Sequence, residues 1–308
     1  MRFVLPSALA IGLLVLVLAV SACNARGGAV PARVDGALRV ATLNAHYILL
    51  DAPEDEPWSV AGWERRRGAM TEVLASLDAD LIALQEMESF RHGDDGSVNL
   101  ARDDLLAAMS DFSVAASGDW QRFPSTQPIL YRTDRLQLLD QGWFFFSDTP
   151  DVIYSRTFNG SYPAFASWGR FHDRRTGTRL RVVNVHLDFS SAENRLQSAE
   201  LVASRVTPWL KAGEHVVVAG DLNALAGSRT AGILTKAGLD LTPARGSSFH
   251  FNRGLNLFGA IDHVLYDCAT ALTDRPVAVR GRPKGQWPSD HYPVMAQILP
   301  GAGTCDQP

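Results

Sequence analysis

The run "VVVAGDLNALAGS", Val216 to Ser228, constrains this chain more than any other. Three successive β-branched valines call for a buried strand, yet that strand runs out onto Asp221 and Asn223. A carboxylate is costly in an apolar interior unless it is paired or opens onto a polar site. In an extended chain, residues two apart share a face, so Asp221 and Asn223 are predicted to point the same way. Turn chemistry is the plain alternative, because Asp and Asn satisfy loop backbone groups locally. The pattern recurs, however, and recurrence is not what isolated turns produce. "LRVATLNAHY" carries Thr42, Asn44 and His46 on one face, and "DADLIALQE" ends on Glu86. In "RVVNVHLD", Val183, Val185 and Leu187 take one face, and Asn184, His186 and Asp188 take the other. Asp262 opens "DHVLYD", and Asp290-His291 precede "YPVMAQIL". Strand ends that repeatedly turn polar are expected to converge on one pocket.

Between these strands lie helical spacings: Met70, Val73, Leu74 and Leu77; Leu105, Leu106, Met109 and Phe112; Leu196, Ala199, Val202, Val206 and Leu210. "PILYR" and "LQLLDQGWFFF" read as strands, and "FASWGRFHDRRTGTRLRVVNVHLD" as a hairpin turning near Thr176-Gly177. With 308 residues, 46% of them hydrophobic, and no repeat or linker after Leu38, the pattern predicts one α/β domain over 38–308. The net charge is −4 with acids and bases interspersed. A basic surface that would track a nucleic-acid backbone is therefore not evident, which disfavours duplex DNA.

The N-terminus reads differently. "MRFVLPSALAIGLLVLVLAVSAC" has one basic residue and an apolar run from Ala8 to Val20. That run is shorter than the roughly 20 residues that span a bilayer, but it suits a signal-peptide apolar region. The ending "VSAC" resembles the lipobox of bacterial lipoproteins, which implies a signal peptide over 1–22, cleavage before Cys23 and lipid on its thiol. Residues 23–37 then read as the lipidated Cys23 and a flexible tether, and the location as the bacterial cell envelope. The alternative is an ordinary exported protein with a stray cysteine. Cys268 and Cys305 remain, and an oxidising compartment makes them a disulfide candidate, with two free thiols as the alternative.

The polar set is rich in carboxylate and amide oxygen and lacks thiolate. Glu86, Asp290 and Asn44 suit a hard cation such as Mg²⁺, with Mn²⁺ able to replace it. His186, Asn223 and His291 can donate to an anionic oxygen, and Asp221 can hold or deprotonate a water. Metal, oxyanion donors and a water-activating carboxylate together suit in-line attack on phosphorus. The chain has no G-x-S-x-G, H-E-x-x-H, Walker loop, G-x-G-x-x-G or C-x-x-C.

"TLN", "LQE", "NVHLD", "GDLN", "IDHV" and "SDHYPV", in that order, resemble the endonuclease/exonuclease/phosphatase superfamily from about Arg39 to Leu299. The resemblance implies a four-layer α/β/β/α sandwich of two mainly antiparallel sheets packed face to face, helices outside. By position it implies Asn44 and Glu86 as metal-binding amide and carboxylate, with Asp290 near the metal. It implies His186 as a stabiliser of the phosphoryl oxygen, Asp221 as the water-activating acid and Asn223 as its phosphate-binding neighbour. Asp262 would orient His291. Tyr131 and Arg170 are candidate pocket residues, with ordinary strand roles as the alternative. His46 reads as structural, and His92, His172, His215 and His250 as surface. The expected activity is an envelope-anchored phosphodiesterase, monomeric and without an obligate protein partner. Its substrate would be a nucleic acid, a phospholipid headgroup or a sugar phosphate. A phosphomonoesterase acting on sugar or inositol phosphates and a non-catalytic phosphate- or lipid-binding module are the competing readings.

Overall fold

A strand that is apolar on both faces needs a layer on each side, and this requirement organises the molecule. The computed structural model describes residues 4–24, 27–91, 98–160 and 162–305, the side chains of 4–9, 23 and 24 excepted. His92 and the Cys23 side chain therefore lie outside the described residues.

The first half holds α1 (Val4–Asn24), β1 (Leu38–Asn44), β2 (Ile48–Leu49), α2 (Val60–Ser76), β3 (Leu81–Gln85), β4 (Ser89–Phe90), α3 (Leu100–Ala108), β5 (Phe112–Ala115), β6 (Ile129–Arg132) and β7 (Leu136–Phe145). Then come β8 (Phe165–Asp173), β9 (Arg179–His186), α4 (Ala192–Lys211), β10 (His215–Asp221), α5 (Arg229–Lys236), β11 (Leu239–Asp240), β12 (Asp262–Asp267), β13 (Thr270–Leu272), β14 (Val277–Ala278) and β15 (Val294–Pro300). One sheet runs β13-β15-β1-β3-β6-β5 with β14 beside β15, and the other runs β11-β12-β10-β9-β8-β7. Each sheet has one parallel pair, β1 with β3 and β9 with β10; the rest are antiparallel. The fold is the four-layer α/β/β/α sandwich.

Three cores separate the layers. Val40, Leu81 and Ala83 meet Val182, Val217, Ala219 and Val264 between the sheets. The other face of the first sheet (Ala41, Leu43, Ile82) packs against Met70 and Leu74 of α2 and Leu105 of α3. Val183, Val185, Val216 and Val218 pack against Ala199, Val202 and Val206 of α4. Ser59 and Ser191 cap α2 and α4, their hydroxyls accepting from Gly62 N and Asn194 N.

Strand direction then places the site. The C-terminal ends of β1 and β3 share an edge because the two are parallel, as do those of β9 and β10. β12 runs antiparallel to β10 with Asp262 directly opposite Asp221, and β15 begins beside the end of β1, Thr42 against Val294. All the polar strand ends except Asp188 therefore collect at one edge of the sandwich. Asp188 turns away to brace the loop that leads into α4, its Oδ1 accepting from Ser190 N at 2.8 Å and Ser191 N at 2.6 Å.

Residues 27–37, expected to be part of a free tether, are tied to the domain. Gly28 N donates to Ala278 O at 3.1 Å, Val34 N to Gln297 Oε1 at 3.1 Å, and Arg33 pairs with Asp78 and Asp80. Among the described residues, no helix is long and apolar enough to cross a membrane.

Cys268 and Cys305 are joined, with Cα atoms 4.9 Å apart and a sequence separation of 37. Closing a loop of that size contributes roughly 3–4 kcal/mol at most through chain entropy. Denaturant unfolding with and without reductant is expected to show a loss of up to that size. The tail is also held by Gly301 N and Gly303 N on Ala269 O; an unchanged midpoint would show that the bridge adds no measurable stability.

Candidate active site

Asp221 Oδ2 is the hub of the converging edge. Asn44 Nδ2 donates to it at 3.3 Å and to Glu86 Oε1 at 2.9 Å. His186 Nε2 lies 3.8 Å from Asp221 Oδ2 and 3.6 Å from Glu86 Oε1. His291 Nε2 lies 3.9 Å from Asp221 Oδ2, and its Nδ1 bonds Asp262 Oδ2 at 2.9 Å. Asp221 and Asp262 are buried and the two histidines nearly so.

The backbone is bent to make this possible. Glu86, His46 and Asn223, each just past a strand end, have φ of 52°, 60° and 46°. Left-handed backbone is unfavourable for residues with a side chain and concentrates at functional sites. It also corrects the expectation that Asp221 and Asn223 share an extended face. The strand stops at Asp221, whose Oδ1 accepts Asn223 N at 2.7 Å, while Asn223 Nδ2 donates to Leu187 O at 2.9 Å. Turn chemistry and site chemistry thus coexist in one aspartate. Gly220 is required by close approach, since a Cβ there would overlap the Val185 carbonyl of the neighbouring strand.

The charges are strongly coupled. Burial pulls the His291 imidazole down, but Asp262, Asp221 and Asp290 override it and raise its pKa to about 10. His291 is therefore an imidazolium at neutral pH, with Nε2 aimed toward Asp221. Burial, and then the Asp262 charge across the strand pair, push Asp221 up to about 6 against the pull of His291 and His186. Burial also raises Asp290, but His291 and His46 hold it below the usual carboxylate range.

Two groups of side chains offer metal ligands. Asp221, Asp262 and His291 present ligand atoms within 4.8 Å of one another. However, Asp262 and His291 already satisfy each other at 2.9 Å, which suits proton handling better than coordination. Glu86 and Asp290 are less satisfied. Glu86 Oε2 takes only a 3.4 Å contact from Tyr47 N, and Asp290 Oδ1 a 3.3 Å contact from Ser289 and a 3.8 Å approach of His46 Nδ1. Oxygen donors with spare lone pairs fit a hard divalent cation. Asn44, expected beside them as a ligand, turns its NH₂ to Glu86 and Asp221 and its oxygen to His46 N at 3.1 Å. It holds the carboxylates in place.

Tyr131 and Arg170 are not at this site. Tyr131 pairs with Leu81, five residues before Glu86 along β3, and stacks on Phe171. Arg170 pairs with Arg181 on β9 and lies 3.6 Å from Glu214, which precedes β10. At about 3.3 Å per residue both are roughly 16 Å from the site edge. Two of the histidines read as surface are also corrected. His250 is fully buried between Trp287 and Tyr292, at 4.4 and 4.1 Å, and burial lowers its pKa to about 4. His215 pairs with Asp267 at 3.3 Å, while His172 is half-buried.

Arg66 was missed. Its buried guanidinium donates to Ala45 O at 2.7 Å, His46 O at 2.5 Å and Pro288 O at 2.8 Å, tying the loop after β1 to the one before Asp290. Burial lowers its pKa to about 10, with Asp290 and Glu86 opposing, so it stays charged. Extending the Met70–Leu74 periodicity back two turns would have put Arg66 and Trp63 on the buried face.

No curated protein matches the chain. Among solved structures, the mannosyl-6-phosphatase of Bacteroides thetaiotaomicron superposes with a TM-score of 0.70 at 22% identity, covering 85% of this chain and 99% of that one. A conserved protein of unknown function from Enterococcus faecalis gives 0.70 at 24%, covering 87% and 100%. D. rerio TDP2, complexed with a single-strand DNA product, gives 0.59 at 14%, covering 86% and 99%. At these identities the likeness shows a shared fold. The sequence profile of the Endonuclease/Exonuclease/phosphatase family matches residues 58–291, and with it the chain belongs to that family of phosphoester hydrolases.

Proposed function

We propose that this protein is a Mg²⁺-dependent phosphodiesterase that hydrolyses its substrate by direct attack of water. The observation that carries the diester reading is a pair of cavities meeting at the site. One, of ≈ 600 Å³, is bordered by Glu86 and His186; the other, of ≈ 500 Å³, by His46 and Asp290, and Tyr47 lines both. A diester has two organic groups to accommodate and a monoester has one.

Each residue then has a task. Glu86 and Asp290 would hold the cation, which neutralises charge on the phosphoryl oxygens when bound. Ionised Asp221 takes a proton from the attacking water. His186 and the His291 imidazolium donate to the phosphoryl oxygens, and Asp262 keeps His291 charged and oriented. Asn223 keeps Asp221 in place, its N–H donating to Asp221 Oδ1 at 2.7 Å while its amide is anchored on Leu187 O at 2.9 Å. Hydrolysis of bis(p-nitrophenyl) phosphate is expected to exceed that of p-nitrophenyl phosphate; a clear reversal would favour the phosphomonoesterase reading. Glu86→Gln keeps the shape and removes the charge, so its Mg²⁺ requirement should move to much higher concentration. An unaltered Mg²⁺ titration would reject Glu86 as a ligand.

We further infer a cell-envelope location with lipid on Cys23, supported by the apolar run before "VSAC". Wild-type protein should fractionate with membranes and carry an acylated N-terminal cysteine by mass spectrometry, whereas Cys23→Ser should not be acylated. Soluble, unacylated wild-type protein would refute the anchor.

A further inference from the structure

The cavity bordered by Glu86 and His186 has a composition that none of the catalytic roles uses. Two packed aromatic groups wall it. Tyr47 and Phe90 touch with centroids 5.6 Å apart, and Tyr154 and Phe165 are joined through Phe145 at 5.6 and 5.2 Å. Trp120 belongs to the second group, its carbonyl accepting the Tyr154 hydroxyl at 2.6 Å. Phe189, 68% exposed, completes the lining from the solvent side.

Charge and hydrogen-bonding capacity narrow the occupant. The described lining holds no Lys or Arg, and Glu88 stands beside Glu86. A second phosphate would find no counter-charge there, which disfavours a polyphosphate or a continuing nucleic-acid strand in this pocket. A sugar ring needs many partners for its hydroxyls. The Tyr154 hydroxyl is already taken, which leaves Thr126, Glu88, the Trp120 indole N–H and the hydroxyls of Tyr47 and Tyr162, too few to meet a ring of hydroxyls on every side. An ammonium head would be attracted by rings and carboxylates, but it would fill only a small part of ≈ 600 Å³. An uncharged planar ring matches the size, the π-rich walls and the missing counter-charge together.

Resting on the phosphodiesterase reading above, we propose that this pocket binds one organic group of the diester, that the group is an uncharged planar ring, nucleobase or aryl, and that Trp120 and Phe189 determine this specificity.

Calorimetric titration of the Mg²⁺-loaded protein with adenosine, 1-naphthol, choline chloride and methyl mannoside tests the assignment without hydrolysis. Adenosine or 1-naphthol should bind saturably, and the better of the two tells a nucleobase from another ring. Trp120→Ala should weaken that binding about tenfold, the scale of one lost stacking partner. Phe189→Ala, whose side chain lies outside the core, should weaken it about fivefold, the low end of that scale, which keeps the test open if the Trp120 variant folds poorly. Binding of choline or methyl mannoside in preference to both rings, or ring binding unchanged in both variants, would overturn the proposal. Wild-type hydrolysis of bis(p-nitrophenyl) phosphate, measured in parallel, reports on the enzyme reading alone. Activity there without ring binding rejects the pocket assignment and leaves the phosphodiesterase standing.

Discussion

His291→Ala is expected to lower turnover on a phosphoester substrate by roughly 10²–10⁴-fold, the usual cost of one positioned acid-base or oxyanion donor. The variant loses an imidazolium that Asp262 holds at 2.9 Å and that points its other nitrogen at Asp221 Oδ2 from 3.9 Å. Asp262→Asn should be milder, because the ring remains while its charge is less favoured. The chain holds a built-in control. His263 follows Asp262 in the same strand and so faces the other way, its Nε2 lying 2.9 Å from Ala224 O in the outer layer. His263→Ala should act through stability, with turnover per folded molecule nearly intact. Turnover and thermal melts of the three variants decide the matter. A folded but inactive His263→Ala beside an active His291→Ala would reverse the assignment.

Asp221→Asn should cost a similar 10²–10⁴-fold in rate and, at the same time, stabilise the fold. Burial and the facing Asp262 raise the Asp221 pKa from 3.8 to about 6. The folded state therefore binds this proton more tightly than the unfolded chain does. Stability from this group is present below pH 3.8 and is lost as pH rises through about 6. Above that pH the ionised carboxylate costs the fold about 3 kcal/mol, which the asparagine avoids. The two melting temperatures should thus coincide near pH 3, separate in favour of the variant as pH rises from about 4 to 6, and keep a constant gap above that. The same ionisation governs the rate, because the base has to be unprotonated. Wild-type turnover should rise along a limb near pH 6 and fall only near pH 10, where His291 loses its charge. A flat profile between pH 5 and 8 would remove Asp221 from the role of base.

Much of this site was legible as a pattern before it was a place. Polar side chains closing apolar runs singled out Asn44, Glu86, His186, Asp221, Asp262 and His291, and the structure brings these six to one edge. Alternation alone separated Asp262 from His263. Alternation misled at Asn223, because the strand ends at Asp221, two residues short of Asn223, whose own backbone is left-handed. Tyr131 and Arg170 were misplaced for a different reason. A strand pattern does not say which end of the strand reaches the site, and β6 lies antiparallel to β3 with Tyr131 against Leu81. His250 looked like a loop residue because its burial comes from Trp287 and Tyr292, far along the chain.

The chain by itself determined its longer strands and helices, their α/β alternation and the residue types that gather for phosphoester chemistry. Those follow from local periodicity and from the cost of putting polar groups at the ends of buried strands. Only the tertiary structure decided which ends meet, and so which carboxylates raise His291 to about 10. It also set Arg66 as the tie between two loops and assembled the aromatic pocket beside Glu86 from Tyr47, Phe90, Trp120 and Phe165. Charge coupling and cavity shape depend on distances between side chains remote in sequence, and those distances exist only once the two sheets have packed.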